Sequence, residues 1–285
     1  MKAAPFKYVL AQSLEHCLEL LGEHGEDARL LAGGQSLMPS LALRLSAPAL
    51  LIDINRVQEI SEPPQSTTDV VRLSALTRHA DLITSPLVKA SLPLLHRAAP
   101  WIAHPGIRNR GTIGGSLALG DPASELPACA VAADATFILQ SKSRGSRRVP
   151  ARTFYQGMFR NACAADEMIV AVEFARMDAL QTGFKEVARR KGDYAMVGLA
   201  GQAKRSGQRL TNVGLSFFAV GDYPVLAEPI CQAIEAADSA SQAIAMALDV
   251  YERDMQASAD LWCSSQAKKY IGRSVLEDVI HDLYQ

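Results

Sequence analysis

The sequence predicts an α/β domain followed by an α+β domain, on three observations. Through the first half, short apolar runs of strand character alternate with segments whose apolar residues recur at helical spacing. Two glycine-rich loops, Gly33-Gly34-Gln35-Ser36 and Gly111 to Ser116, interrupt that alternation. Past residue 178 the order changes: strand-like runs come first and Ala-rich helical sequence follows, the pattern of a separate α+β unit. The expected domains are 1–178, in lobes of about 1–55 and 56–178, and 179–285.

The elements follow in order. Ser13 is placed to cap a helix running to about Glu23, with Leu14, Cys17, Leu18 and Leu21 on one face. Arg29 to Ala32 reads as a strand entering the first Gly loop. A short helix from Leu37 to about Leu43 tolerates Pro39 in its first turn. Leu50 to Ile54 is a buried strand, so 1–55 forms a small β-α-β-like unit. Ser61 to Thr68, with Pro63-Pro64, is a turn or hairpin tip, and Val70 to Leu73 a strand. Thr77 is placed to cap the next helix. Leu92 to Ile102 reads as helical. Asp121 is placed to cap a helix from Pro122 to about Ala132. Thr136 to Leu139 and Val149 flank a basic tip, Lys142 to Arg148, read as a solvated turn. Met168 to Phe174 closes the first domain. Strands then run over Phe184 to Val187, Ala195 to Ala203 and Val213 to Ala219, with helical sequence from about Leu226 to Tyr284.

Bulk properties exclude several classes. A chain of 285 residues buries roughly 75% of its unfolded surface and needs no staples. The formal net charge of -1 gives no global field for nucleic acid or an anionic membrane. The first residues carry no signal-peptide core, and no run of about 18 apolar residues spans a membrane. The five cysteines, Cys17, Cys129, Cys163, Cys231 and Cys263, are scattered and form no CxxC pair. That usage predicts a reducing cytoplasm and no zinc or iron–sulfur site in this chain.

Glycine lets a backbone approach a phosphate closely, and consecutive N–H groups form an anion-binding nest. Ser36, Thr112 and Ser116 add hydroxyl donors. One such loop also reads as a plain tight turn; two suit the two phosphates of a dinucleotide. Neither loop is GxGxxG or GxxxxGK[ST], which disfavours the Rossmann and P-loop readings.

At these residues the chain resembles a known family. Ala32-Gly33-Gly34-Gln35-Ser36-Leu37, followed by Pro39 and Arg44, resembles the N-terminal FAD loop of the medium subunits of carbon monoxide dehydrogenase-type molybdenum hydroxylases. Ile107 to Ala118 and Asp121-Pro122-Ala123-Ser124-Glu125-Leu126-Pro127 resemble that family's second FAD motif. Phe154 to Phe159 with Asp166-Glu167, and Phe184-Lys185, Arg189-Arg190 and Asp193-Tyr194-Ala195, resemble its later segments. Xanthine dehydrogenase carries a similar flavin domain inside a longer chain. Two departures stand out: Ser116 where many relatives have Asn, and Leu119-Gly120 where they have a His-Ala pair.

The resemblance implies a vanillyl-alcohol-oxidase/PCMH-type FAD-binding fold in two lobes with a C-terminal α+β domain. It implies FAD held noncovalently by Ala32, Gly33, Gly34, Gln35, Ser36 and Leu37 together with Ile107, Gly111, Thr112, Ile113, Gly114, Gly115 and Ser116. The pyrophosphate is expected on backbone N–H groups of Gly33–Ser36 and Thr112–Ser116. Asp121 is expected at the ribityl or ribose part, Lys185 near the flavin, and Asp193 and Tyr194 by the ring. The partners implied are a large subunit with molybdopterin cytosine dinucleotide and a small subunit with two [2Fe–2S] clusters, in a dimer of heterotrimers serving an external electron acceptor. No residue here is expected to act as nucleophile or general base, and no metal is expected.

Other readings stay beside these. Asp121 also reads as a plain N-cap, Tyr194 as a core tyrosine, and Lys185, Arg189, Arg190 and Lys191 as a solvated face. His16, His79 and His104 read as structural or surface residues. The rival function is a stand-alone FAD-dependent alcohol oxidase; it usually tethers the flavin through a His or Cys, and neither loop has one.

Overall fold

A computed structural model describes residues 2–177 and 179–285. The expected domain boundary, residue 178, lies outside them. The first lobe is a three-stranded parallel sheet, β1 (Lys7–Leu10), β3 (Leu50–Asp53) and β2 (Ala28–Leu31) in that order. α1 (Leu14–His24) and α2 (Leu37–Ala42) make the crossovers that parallel strands require. Ser13 caps α1 by accepting from the His16 N–H. Cys17, Leu18 and Leu21 turn to the sheet, where Ile52 is fully buried. The sequence gives no sign of β1, because its Lys7 and Tyr8 are exposed and no period-two alternation marks this edge strand.

The second lobe is an antiparallel sheet in the order β4 (Gln65–Ser66), β5 (Val70–Ser74), β10 (Met168–Ala175), β6 (Thr136–Ser141), β7 (Gly145–Pro150). Between β5 and β6 run α3 (His79–Thr84), α4 (Pro86–Ser91), α5 (Pro93–Ala98), α6 (Pro105–Arg108), α7 (Ile113–Leu119) and α8 (Glu125–Ala132). A one-turn α9 (Ala151–Phe154) and the hairpin β8 (Tyr155–Gly157) and β9 (Arg160–Asn161) precede β10. The expected helix at 92–102 is shorter: Pro93 starts α5, and a 3-10 turn at Ala99–Trp101 ends it.

Three expectations here are corrected. Thr77 does not cap α3; the Asp81 carboxylate accepts from the Arg78 N–H instead, and the Thr77 hydroxyl is buried without a partner among the described residues. Asp121 opens a turn rather than the helix, accepting from the Ala123 N–H at 2.9 Å, so α8 begins only at Glu125. The basic tip is not simply solvated. Arg147 holds the buried Glu167 carboxylate with two bonds, at 2.7 and 2.6 Å, Arg148 pairs with Glu173, and Lys142 with Glu19.

The C-terminal domain is an antiparallel sheet, β11 (Leu180–Ala188), β12 (Ala195–Ser206), β13 (Arg209–Phe218) and β14 (Val225–Leu226). One face is covered by α10 (Glu228–Glu235), α11 (Ala240–Asp254) and α12 (Ser265–Leu283), with a non-helical break at 255–264. The other face packs on the second lobe. Phe184, Ala200 and Phe218 share a core with Trp101, Leu126 and Ala132, so the domains meet through a continuous apolar junction. A side chain buried there contributes about 1.5–3 kcal/mol. Gly214 marks how tight the contact is: a Cβ there would lie 2.0 Å from the Ala132 carbonyl oxygen. No described helix is long and apolar enough to cross a membrane.

Candidate flavin-binding site

The first Gly loop leaves β2 and enters α2. Gly34 adopts φ 73°, a conformation glycine takes without a Cβ clash. The amide side chain of Gln35 turns back to donate to the Gly33 carbonyl at 3.0 Å. The N–H groups of Gly33, Gly34, Gln35, Ser36 and Leu37 donate to no acceptor among the described residues. A run of free N–H groups in a glycine turn is the nest geometry that takes an anion.

The second loop is built differently. The Ile113 N–H donates to the Thr77 carbonyl and the Gly114 N–H to the Ala75 carbonyl, both at 2.9 Å. The Gly115 N–H donates to the Thr112 hydroxyl at 3.1 Å, and the Ser116 N–H to the Thr112 carbonyl at 3.0 Å. Of the Thr112–Ser116 N–H groups expected at the pyrophosphate, the last four are engaged within the chain. The glycines of this loop serve close packing. A Cβ on Gly114 would lie 2.7 Å from that of Ala75, and one on Gly111 would lie 2.8 Å from the His79 ring. The Ile107 carbonyl accepts from Gly111 at 2.7 Å and closes the turn. Ser116 and Ser124 share a hydroxyl contact at 3.2 Å, which ties α7 to the Asp121 turn.

The two loops touch. A Cβ on Gly33 would lie 2.2 Å from the Arg110 carbonyl oxygen. Two side chains that the sequence does not single out hold this junction. Asn55 donates to the Leu31 and Ala32 carbonyls at 3.2 and 2.8 Å, and accepts from Arg78 at 2.9 Å. Arg78 also donates to the Arg110 carbonyl. Behind them the His79 ring bonds the Thr112 carbonyl at 3.0 Å, and burial depresses its pKa to about 4. Removing one partner of such a network leaves buried carbonyls unsatisfied, at about 1–3 kcal/mol. Arg78→Met is therefore expected to weaken FAD binding about 10- to 100-fold, a tenfold change being about 1.4 kcal/mol. Fluorescence titration of the flavin-free chain reads this directly, and an unchanged Kd sinks the clamp.

Across from the loops stands the C-terminal domain. The turn at 189–193 packs by Gly192, φ 84°, against Ala103, just ahead of the second loop. Within it Asp193 accepts from Arg190 at 3.1 and 3.2 Å. Tyr194 is 74% exposed, so it is not a core tyrosine. Desolvation, then the charges of Asp121 and Glu125, raise its pKa. Burial likewise pushes Asp121 up, opposed by the Ala123 N–H. The structure does not bring Lys185 to this group. Strand parity turns Phe184 and Glu186 toward the second lobe and Lys185 toward α12, where it pairs with Asp278 at 2.9 Å.

These residues fit FAD. A nest of free N–H groups matches a diphosphate, and Tyr194 offers an exposed aromatic ring. Comparison with known proteins agrees. Residues 4–176 match the family of the FAD-binding domain in molybdopterin dehydrogenase, and residues 182–283 match the carbon monoxide dehydrogenase flavoprotein C-terminal domain. The chain is 45% identical over 221 residues to the alpha subunit of the 6-hydroxypseudooxynicotine dehydrogenase complex of Paenarthrobacter nicotinovorans, covering 75% of this chain and 74% of that one. It is 35% identical over 285 residues to the nicotine 6-hydroxylase medium subunit of the same organism, covering 97% and 98%. Among solved structures, carbon monoxide dehydrogenase from Hydrogenophaga pseudoflava superposes with a TM-score of 0.95 at 32% identity, covering 100% of this chain and 99% of that one. Fold, loops and relatives converge: this chain belongs to the FAD-binding medium subunits of the molybdenum hydroxylases, with a PCMH-type flavin domain and its C-terminal companion.

Proposed function

We propose that the chain is the electron-transfer subunit of a heterotrimeric hydroxylase, working as a dimer of heterotrimers. It receives electrons from two [2Fe–2S] clusters on a small subunit and passes them to an external acceptor. A large subunit with molybdopterin cytosine dinucleotide hydroxylates the substrate. The observation that carries this reading is the free N–H run of Gly33 to Leu37, seated by Arg78 and Asn55 against the second loop. It suits a resident dinucleotide and leaves the substrate's chemistry to a partner. FAD, when bound, supplies the exchange between one-electron and two-electron transfer. The chain's own residues bind and orient: Gly33 to Ser36 take the diphosphate, Thr112 and Ser116 line the second loop, Asp121 meets the sugar-alcohol chain, and Asp193 sets the turn that presents Tyr194. Five free thiols suit a reducing cytoplasm.

Tyr194 bears on the acceptor. Its ring makes no aromatic contact within the described chain, so it is free to cover one face of the flavin. Displacing such a cover would cost a nicotinamide about 0.5–1.5 kcal/mol beyond the lost area. The native complex, copurified with its partners, is therefore expected to reduce quinones and dyes at saturating substrate and to leave NAD largely unreduced. Flavin-loaded chain without partners is expected to show no hydroxylase activity. NAD reduction as fast as the dyes, or hydroxylation by the isolated chain, contradicts this.

A further inference from the structure

A buried cation of the C-terminal domain has no part in the flavin reading. Lys268, in the first turns of α12, is 4% exposed. Its Nζ donates to the Ala219 carbonyl at 2.6 Å and pairs with the Asp260 carboxylate at 2.6 Å. A buried ammonium persists where hydrogen bonds and a counter-charge replace its water, and the partners are held in place in turn. These two partners belong to different segments, and each segment leads on by direct contacts.

The first arm runs through Ala219, which follows β13. Its φ of 61° is a left-handed conformation that a residue other than glycine keeps only where its surroundings impose it. Both of its backbone groups are held. The carbonyl accepts from Lys268, and the N–H donates to the Pro122 carbonyl at 2.7 Å. Pro122 follows Asp121, whose carboxylate accepts from the Ala123 N–H within the same turn. Lys268 therefore reaches the Asp121 turn through two hydrogen bonds.

The second arm runs through Asp260. Its Oδ1 accepts from the N–H groups of Trp262 and Cys263 at 2.7 and 2.9 Å, which shapes the stretch between α11 and α12. The Ser258 N–H donates to the Val220 carbonyl at 2.8 Å and lays that stretch beside the first arm. The Trp262 ring then meets the guanidinium of Arg189, whose central carbon lies 4.6 Å from the ring centroid. A cation over an aromatic face is attracted by the ring quadrupole. Arg189 opens the turn in which Asp193 accepts from Arg190 and Gly192 packs on Ala103, and Tyr194 follows it directly.

We propose that Lys268 is a positioning residue for the flavin site. Through Ala219 it sets the Asp121 turn, and through Asp260, Trp262 and Arg189 it sets the turn that presents Tyr194. One buried ammonium thereby fixes the two groups relative to each other. The proposal rests on the reading above that Asp121 and Tyr194 meet the flavin. Lys268 acts through these contacts and needs none of its own to the cofactor.

The test records emission from the bound flavin in the full chain loaded with FAD. A phenol in contact with the isoalloxazine quenches its fluorescence by electron transfer, which fades steeply with distance. Tyr194→Leu is expected to raise the emission several-fold. Lys268→Met, which keeps the stem and removes the charge, and Trp262→Leu are each expected to raise it comparably. Neither adds to the increase when combined with Tyr194→Leu. Trp262→Phe keeps an aromatic face for Arg189 and restores the quenching; phenylalanine does not itself quench flavin, so restoration excludes direct quenching by the indole. Trp262 is 69% exposed, so its replacement leaves the core intact and decides the matter even where Lys268→Met fails to fold. Asp238→Asn, at a surface ion pair with Arg209, leaves the emission unchanged. Unchanged emission in Trp262→Leu, or an increase that adds to that of Tyr194→Leu, overturns the brace and leaves the FAD reading standing. Unchanged emission in Tyr194→Leu overturns the placement of Tyr194 and the brace with it.

Discussion

Gly33→Val is expected to yield a folded chain that purifies colourless. A Cβ at this position would fall 2.2 Å from the Arg110 carbonyl oxygen and 2.8 Å from the Gly111 Cα. Both obstacles are backbone, so relief requires the two loops to part. Parting them breaks the register that Asn55 and Arg78 impose, and it swings the free N–H groups of Gly33 to Leu37 away from their common focus. Gly34→Val is expected to act by another route. Space beside Gly34 is only slightly tight, but its φ of 73° costs a β-branched residue about 1–2 kcal/mol. Gly22→Ala is the control: it lies inside α1 with nothing within 4 Å, and should stabilise the chain by about 0.5–1 kcal/mol. Flavin released by acid from each purified variant, quantified by absorbance, separates the cases. Full FAD content in Gly33→Val would overturn the placement of the diphosphate.

The second large effect is a dependence of stability on pH that Glu186→Gln removes. Glu186 is raised from an ordinary 4.5 to about 8 in the folded chain. Between those values the folded state holds a proton that the unfolded state has released, so stability falls as pH rises through this window and levels above about 8. Below 4.5 both states are protonated and the penalty vanishes. The isosteric amide keeps the shape without the charge. At pH 8 Glu186→Gln is therefore expected to exceed the unaltered chain in stability by on the order of 4 kcal/mol, with little difference near pH 4.5. His79, depressed to about 4, works in the opposite direction as pH falls, and subtracting the two curves cancels it. Denaturant midpoints of the flavin-free proteins at the two pH values decide the matter. A difference that does not change with pH would sink it.

The first-lobe elements and the loop glycines are legible because each depends on neighbours in sequence. Ser13 caps α1 through a bond to His16, and Leu14 to Leu21 show their helical face without reference to the rest of the chain. Pro39, Gly33 and Gly34 announce a turn into a helix by backbone conformation alone. The misplaced starts of α3 and α8 have a common cause. Thr77 and Asp121 are both good caps by type, yet an adjoining segment claims the backbone at or next to them: Ile113 takes the Thr77 carbonyl, and Ala219 takes that of Pro122. A cap preference worth about 1 kcal/mol yields to such a contact.

The side Lys185 takes is legible from strand parity. In a strand, positions 184 and 186 share a face and 185 takes the other, so the apolar Phe184 already indicates which side meets the core. That rule also brings Glu186 to the same side as Phe184, where it is buried.

By itself, the sequence determined the two-domain α/β plus α+β plan, the two glycine loops and the family to which they belong, since these rest on local pattern and on a motif long enough to be specific. Only the tertiary structure decided which loop N–H groups remain free, because that depends on whether Thr77 and Ala75 reach Ile113 and Gly114. It alone joined Asn55 and Arg78 into a clamp and buried Glu186 at the domain junction. Hydrogen-bond satisfaction and desolvation are properties of the packed chain, fixed by partners far apart in sequence, and no residue carries them alone.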